Sequence, residues 1–246
     1  MLKIITLITK FILVAIIALL FASCNHSINW NAIEGSGNVT TEKRNIEGTF
    51  KNIEVSNSID VVLEQSDVIE ITVEADDNLQ EHILTTIENG TLVISCDKNS
   101  LINMKTMKVT VKMPIIEQLE ADSGASITST NTIKGQNIML STSSAATINL
   151  NIEADDISCD SSSGSNISIE GMALTMKVNA SSGSEIDANK VLTNDINAEA
   201  SSGATISTNP IVSLDAEASS GGSISYAKEP KSIRKESNSG GSISRN

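Results

Sequence analysis

The chain has 246 residues, with 30 acidic side chains against 17 basic ones and a formal net charge of −13, enough length for one sizeable or elongated domain. That balance excludes a nucleic-acid-binding surface, because neutralising phosphates needs clustered Lys and Arg, and it excludes adsorption to an anionic membrane by charge alone. Aromatic residues make up only 2% of the chain, which leaves little on which sugar rings or bases could stack.

Residues 1–23 read as a leader. Lys3 and Lys10 precede an apolar run from Phe11 to Phe21, and Ala22-Ser23-Cys24 come next. A basic start, an apolar stretch of this length and small residues before the cut describe a secretory signal. A membrane-spanning helix from Ile4 to Ser23 is the competing reading, but Lys10 interrupts it. Phe21-Ala22-Ser23-Cys24 resembles a bacterial lipobox, with Phe21 where Leu is usual. By that resemblance Cys24 is the lipid attachment site and the first residue of the mature protein, and its lipid is the partner that holds the chain to a membrane.

Residues 24–45 are polar and read as a tether that passes into the first strand. Residues 46–115 form a less regular β section. Strand-like runs lie at Ile53 to Val55, Ile59 to Glu64, Ile69 to Ala75, Thr91 to Cys96 and Met107 to Met113. The alternation in Val68-Ile69-Glu70-Ile71-Thr72-Val73-Glu74 marks a half-buried strand. Asn89-Gly90, between Ile83–Ile87 and Thr91–Cys96, is a two-residue hairpin signal. Asp77 is placed to cap one short helical turn through Leu79 to Ile83. The section as a whole is expected to cover the open end of a regular repeat array downstream, as terminal units of repeat proteins do.

Residues 116–246 repeat themselves. Ile127, Ile148, Ile167, Ile186, Ile206, Ile224 and Ile243 are separated by 21, 19, 19, 20, 18 and 19 residues. Three residues before each stands Gly124, Ala145, Gly164, Gly183, Gly203, Gly221 or Gly240, usually after serine. Eight before stand Leu119, Leu140, Cys159, Val178, Ala198, Ala216 and Lys235; six before stand Ala121, Thr142, Ser161, Ala180, Ala200, Ala218 and Ser237. Steps of two put these columns on one inward strand face, with polar residues between them facing water. A period near 19 with like residues in columns predicts an all-β fold: a parallel β-helix, taken as right-handed, with two or three short strands per rung. A sandwich of hairpins fits the short strands but does not require the columns. Lys228, Lys231, Arg234, Lys235 and Arg245 crowd the last coil, and Lys235 enters an otherwise apolar column, so this coil is expected to cap the rod.

The chain also resembles a known family. Gly35-Ser36-Gly37-Asn38-Val39, Phe50-x-x-Ile53-x-Val55, Asn57-Ser58-Ile59-Asp60-Val61, Val73-Glu74-Ala75-Asp76-Asp77-Asn78-Leu79 and Glu88-Asn89-Gly90-Thr91-Leu92 are similar to the opening of the head GIN domain. The later Ala-Ser-Ser-Gly repeats look like that family's Ala-Ser-Gly-Gly repeats. The resemblance runs from about Gly35 to the C-terminus and departs from the family at Asn57-Ser58, where Gly-Gly is favoured, and at Ala145. It implies an auto-transporter-type adhesin, common among Bacteroidetes lipoproteins, with no catalytic or binding residues to carry over. Asn25-His26-Ser27-Ile28-Asn29 lack the acidic cluster that resembles a surface-export signal in such lipoproteins, which tilts the expected location toward the periplasmic face of the outer membrane.

Little in the sequence points to chemistry. His26 and His82 belong to no metal-ligand spacing, Gly-x-Ser-x-Gly is absent, and no cofactor, metal or catalytic residue is expected. Cys96 and Cys159 fall on inward strand positions and read as two buried free thiols rather than a disulfide. Asp122, Asp155-Asp156, Asp160 and Asp187 are carboxylates of the type that β-helix polysaccharide lyases and hydrolases use, but the repeats give no column of Asp. Thr128-Ser129-Thr130 and Thr205-Ile206-Ser207-Thr208 hint at an ice-binding face, without register. The expectation is a non-catalytic, lipid-anchored envelope protein, an adhesin or scaffold whose partner is a glycan or an envelope protein. The alternative is a polysaccharide-binding or polysaccharide-processing β-helix. Cys24→Ala should move the protein from the membrane to the soluble fraction; unchanged partitioning would rule out the lipid anchor.

Overall fold

The Ser-Gly pairs are where the chain bends. In the computed structural model, which describes residues 32–98 and 100–246, Ser123 and Gly124 have φ of 52° and 74°. The pair closes with a bond from Ala125 N to Asp122 O of 3.1 Å, which makes a type I′ turn. The same two positive angles recur at every later turn down to Ser239–Gly240. Glycine accepts this conformation freely, but Ala145 adopts it too, at φ 64°, as do Asn57 and Ser58 at 62° and 58°. The departures from glycine therefore leave the turn geometry intact. Cys24, His26 and the leader over 1–23 lie outside the described residues.

The bends are themselves stacked. Ser58 N donates to Ser123 O (3.0 Å), Gly124 N to Ser144 O (3.0 Å), Ala145 N to Ser163 O (3.2 Å), and so on to Gly221 N and Ser239 O (3.2 Å). Backbone groups that a loop would leave to water are thus paired from coil to coil. On either side of the turns the strands pair in parallel and in register. Leu119 lies beside Leu140, Leu140 beside Cys159 and Cys159 beside Val178 on the sheet that precedes the turn. Ile127, Ile148, Ile167 and Ile186 line up on the sheet after it. These columns are the core; Ile127, Ile148, Ile167, Ile186, Ile206 and Ile224 are fully buried.

The outer coils are built of short strands as expected, but the three middle ones are not. Thr147–Ser161, Asn166–Ala180 and Glu185–Ala200 are single strands of 15, 15 and 16 residues that bend around the corner opposite the turn, with a one-residue bulge between the last two taking up the extra residue. Ile148, Leu150 and Ile152 point inward before the corner, and Ile157, Cys159 and Ser161 after it. The change from even to odd numbers is the phase shift that keeps both faces directed at one core. At this corner Gly171 has φ 134°, and a Cβ there would sit 2.0 Å from Ile152 O.

The N-terminal section does not stack in chain order. Asn52–Val55 and Asp60–Gln65 lie between an outer coil made of Thr91–Cys96 and Met107–Met113 and an inner one made of Gln118–Ala121 and Ser126–Ser129. Beyond the outer coil the pairing turns antiparallel. Glu70–Asp76 lies on Met107–Met113, Val39–Arg44 on Glu70–Asp76, and Ile83–Glu88 on Thr91–Cys96 through the Asn89-Gly90 hairpin. Residues 39–44, the expected passage from the tether into the first strand, are a sheet strand. The short helical turn forms as the 3-10 helix Asp77–His82, but Asp77 does not cap it: Asp76 stands at the N-cap position, and no side chain makes a capping bond. The Asp77 carboxylate instead accepts from Ser36 Oγ and Asn38 Nδ2. Buried Asp76 accepts from Lys105 N (2.7 Å) and Gly37 N (2.6 Å), and these amides, Lys105 first, hold its carboxyl below the usual range. The Gly-Ser-Gly-Asn and Ala-Asp-Asp-Asn motifs, about forty residues apart in sequence, form one clasp.

Cys96 and Cys159 are buried and free. Four ladder steps separate their strands, roughly 19 Å, well beyond disulfide reach. Among the described residues, no helix is long and apolar enough to cross a membrane. Ala145→Gly should stabilise the protein by about 1 kcal/mol, because it relieves a left-handed Cβ. Gly171→Ala should cost roughly 3 kcal/mol through its clash and its φ. Urea midpoints with unchanged m-values would check both.

Candidate binding face of the coil stack

On the sheet that precedes the turn, outward side chains form straight columns because inward ones do. One column stands seven residues before the isoleucines: Glu120, Ser141, Asp160, Asn179, Glu199, Glu217 and Glu236. Glu54 extends it one coil further, opposite Glu120. Two residues on, at the start of each turn, runs a second column of Ser143, Ser162, Ser181, Ser201 and Ser219 between Asp122 and Asn238. Between the two lies a groove of about 430 Å³ floored by small residues such as Ala180, Ala200 and Ala218. It contains no cationic side chain among its lining residues, and successive coils repeat its chemistry every 4.8 Å or so.

The carboxylates differ in how they are held. Asp122 accepts from Ser143 Oγ (2.7 Å) and Ser123 N (2.7 Å), and the Ser143 hydroxyl is the largest influence keeping its carboxyl below the ordinary range. Asp160 accepts from Asn179 Nδ2 (2.7 Å). Arg234 reaches Asp215 (2.9 Å), Glu217 (3.4 Å) and Glu236. Glu120 and Glu199 have no hydrogen-bond or ion-pair partner among the described residues. Burial, then the charges of Glu54 and Asp122, push the Glu120 carboxyl above the ordinary range.

A second, wider groove of about 1130 Å³ runs along the other edge of the same sheet. Its apolar lining includes Pro114, Ile115 and Met139, the last two about half exposed. Asp156, Asp195 and Asp215 line it, and Asp156 accepts from Thr175 Oγ1.

The structure therefore separates the candidate carboxylates. Asp160 lines the narrow groove, Asp122 bonds Ser143 of its serine wall without lining it, Asp156 lies in the wide groove, Asp155 is exposed at the corner, and Asp187 belongs to the sheet after the turn, where it accepts from Asn189 N. His82 lies apart from both grooves, 3.1 Å from Asp97. Among the described residues, no three His, Cys, Asp or Glu side chains converge as metal ligands. The acidic column is what sequence reasoning missed. A search for Asp alone finds no column, whereas Glu and Asp read together at the seventh position before isoleucine do.

A family model described as "Putative auto-transporter adhesin, head GIN domain" matches residues 49–230. Among solved structures, a putative adhesin from Bacteroides fragilis is 19% identical, has a TM-score of 0.81, and the match covers 87% of this chain and 100% of that one. A putative lipid binding protein from Parabacteroides distasonis is 23% identical with a TM-score of 0.73, covering 87% and 99%. A putative adhesin from Parabacteroides merdae is 18% identical with a TM-score of 0.71, again covering 87% and 99%. At these identities the likeness is one of fold. No curated protein matches the chain.

The raised Glu120 carboxyl fixes the sign of a pH effect. An acid whose folded pKa lies above its unfolded value, about 4.3 for Glu, favours folding while protonated and loses that contribution as pH rises through the folded value. Glu120→Gln should therefore raise Tm slightly at pH 7, with the gain vanishing below about pH 4. Thermal melts across that range would show it.

Proposed function

The chain belongs to the family of putative auto-transporter adhesins with the head GIN domain, and from that premise we propose that it is a non-catalytic, lipid-anchored envelope protein whose coil stack presents a binding surface. Cys24 carries the lipid in this reading, and the periplasmic face of the outer membrane is favoured because no acidic cluster comes after that cysteine. The observation that carries the proposal is the narrow groove. It is straight and open, runs the length of the regular coils, and offers carboxylates on one wall and hydroxyls on the other. Such a surface binds by repetition rather than by enclosure, since an extended ligand meets the same acceptors at every coil. Carboxylates and serine hydroxyls pair with the hydroxyl groups of a glycan or with the amides and amines of an envelope protein.

A processing role is the second reading, and one observation favours it. Glu120 and Glu54 face each other on adjacent coils, and the Glu120 carboxyl is raised, as a general acid's would be. The likeness to a lipid binding protein gives the wide apolar-lined groove a third kind of occupant to test.

Binding to a glycan array and to envelope fractions tests the proposal directly. Saturable binding should weaken roughly tenfold in Glu199→Gln if one charge-assisted bond worth about 1.5 kcal/mol is lost. Turnover of the bound glycan, abolished by Glu120→Gln, would replace the binding role with the processing one. Binding that ignores both substitutions would move the site out of the groove.

A further inference from the structure

The last coil of the described stack, Ser232–Ser237 and Ser242–Arg245, is built on the same ladder as its predecessors, yet its inward positions change character. Both strands pair on one side only, with Pro210–Ala218 and Ser223–Tyr226. Lys235 succeeds Ala198 and Ala216 in one inward column. Arg245 succeeds Thr208 and Tyr226 in another, on the other sheet. Thr208 and Tyr226 are buried, so the column that receives Arg245 is a core column up to that point. The Lys235 ammonium lies 4.5 Å from the centroid of the Tyr226 ring, on its hydroxyl side, and donates to that hydroxyl.

We infer that Lys235 and Arg245 seal this end of the stack against a second copy of the chain. Each strand edge presents unpaired N–H and C=O groups, and the N–H of Gly240 has no further coil among the described residues to receive it, unlike those of the six turns before it. Such an edge is a template for another coil with the same spacing, and every copy carries one. The two cations remove that option. A coil laid over them would enclose an ammonium and a guanidinium in an apolar core without acceptors, which is unfavourable whichever chain supplies the coil. Tyr226 lets the lysine stem cover apolar surface while its charge stays at the rim, so the core is closed without a neighbour.

The test is the mass of the full chain in a non-ionic detergent, measured by light scattering across a wide concentration range. Wild type should keep one mass, and its amides in 232–237 and 242–245 should exchange quickly at every concentration. Lys235→Met with Arg245→Leu should associate, its mass roughly doubling or climbing with concentration while those amides become protected. Lys228→Ala with Lys231→Ala removes the same charge from exposed positions and should not associate. Should the double variant misfold, Lys235→Met alone keeps the stem's shape and serves instead. A folded double variant that stays at one mass would overturn the inference, as would wild type that already associates with protection of these strands.

Discussion

Everything in this protein hangs on the left-handed pair at each turn and its bond to the next coil. The pair reverses the chain in two residues, and the glycine or alanine N–H then reaches the serine carbonyl above it. A parallel ladder normally needs a long crossover between its strands. Here the crossover is the rung itself, and its bend belongs to the ladder. Register is therefore fixed at both sheets and at the turn together, so no coil can slip by one residue without turning its isoleucine out to water.

That fixed register determines the surface as well as the core. Where inward residues form columns, outward ones must, whether or not any function uses them. The groove between Glu120–Glu236 and the turn serines is a consequence of this geometry, and its chemistry is set by which residues occupy two outward positions. The buried hydroxyls show the same logic inside. Thr142, Ser161 and Ser165 stand where other coils have alanine, and they bond to one another at 2.9–3.0 Å, so none is left without a partner. These three hydroxyls entered the core as a mutually satisfied set, whereas the buried Thr193 hydroxyl has no partner among the described residues.

The two ends of the stack are closed by different means. At the N-terminal end the chain turns back on itself, and antiparallel strands and the Asp76–Asp77 clasp cover the outer coil. At the C-terminal end the ladder continues unchanged, and the side chains alone change, from alanine to Lys235 and from tyrosine to Arg245. A fold whose interior is so repetitive needs both, because each open end offers the same pattern of backbone groups to any neighbour.

The repeats made the regular coils legible in the sequence: the isoleucine columns, the turn positions, the buried cysteines and the strands over 52–113 could all be placed from spacing, since a period of two and a period near 19 leave their mark on every residue. The Asn89-Gly90 hairpin was legible for the same local reason. The sequence did not reveal that residues 52–65 lie between strands that come later in the chain, or that 39–44 pair with 71–76, because pairing between distant segments leaves no local period. It did not separate Asp160 and Asp156, which line grooves, from Asp187 either. Those side chains carry the same charge and similar neighbours, and only the parallel stacking of whole coils decides which of them line a groove.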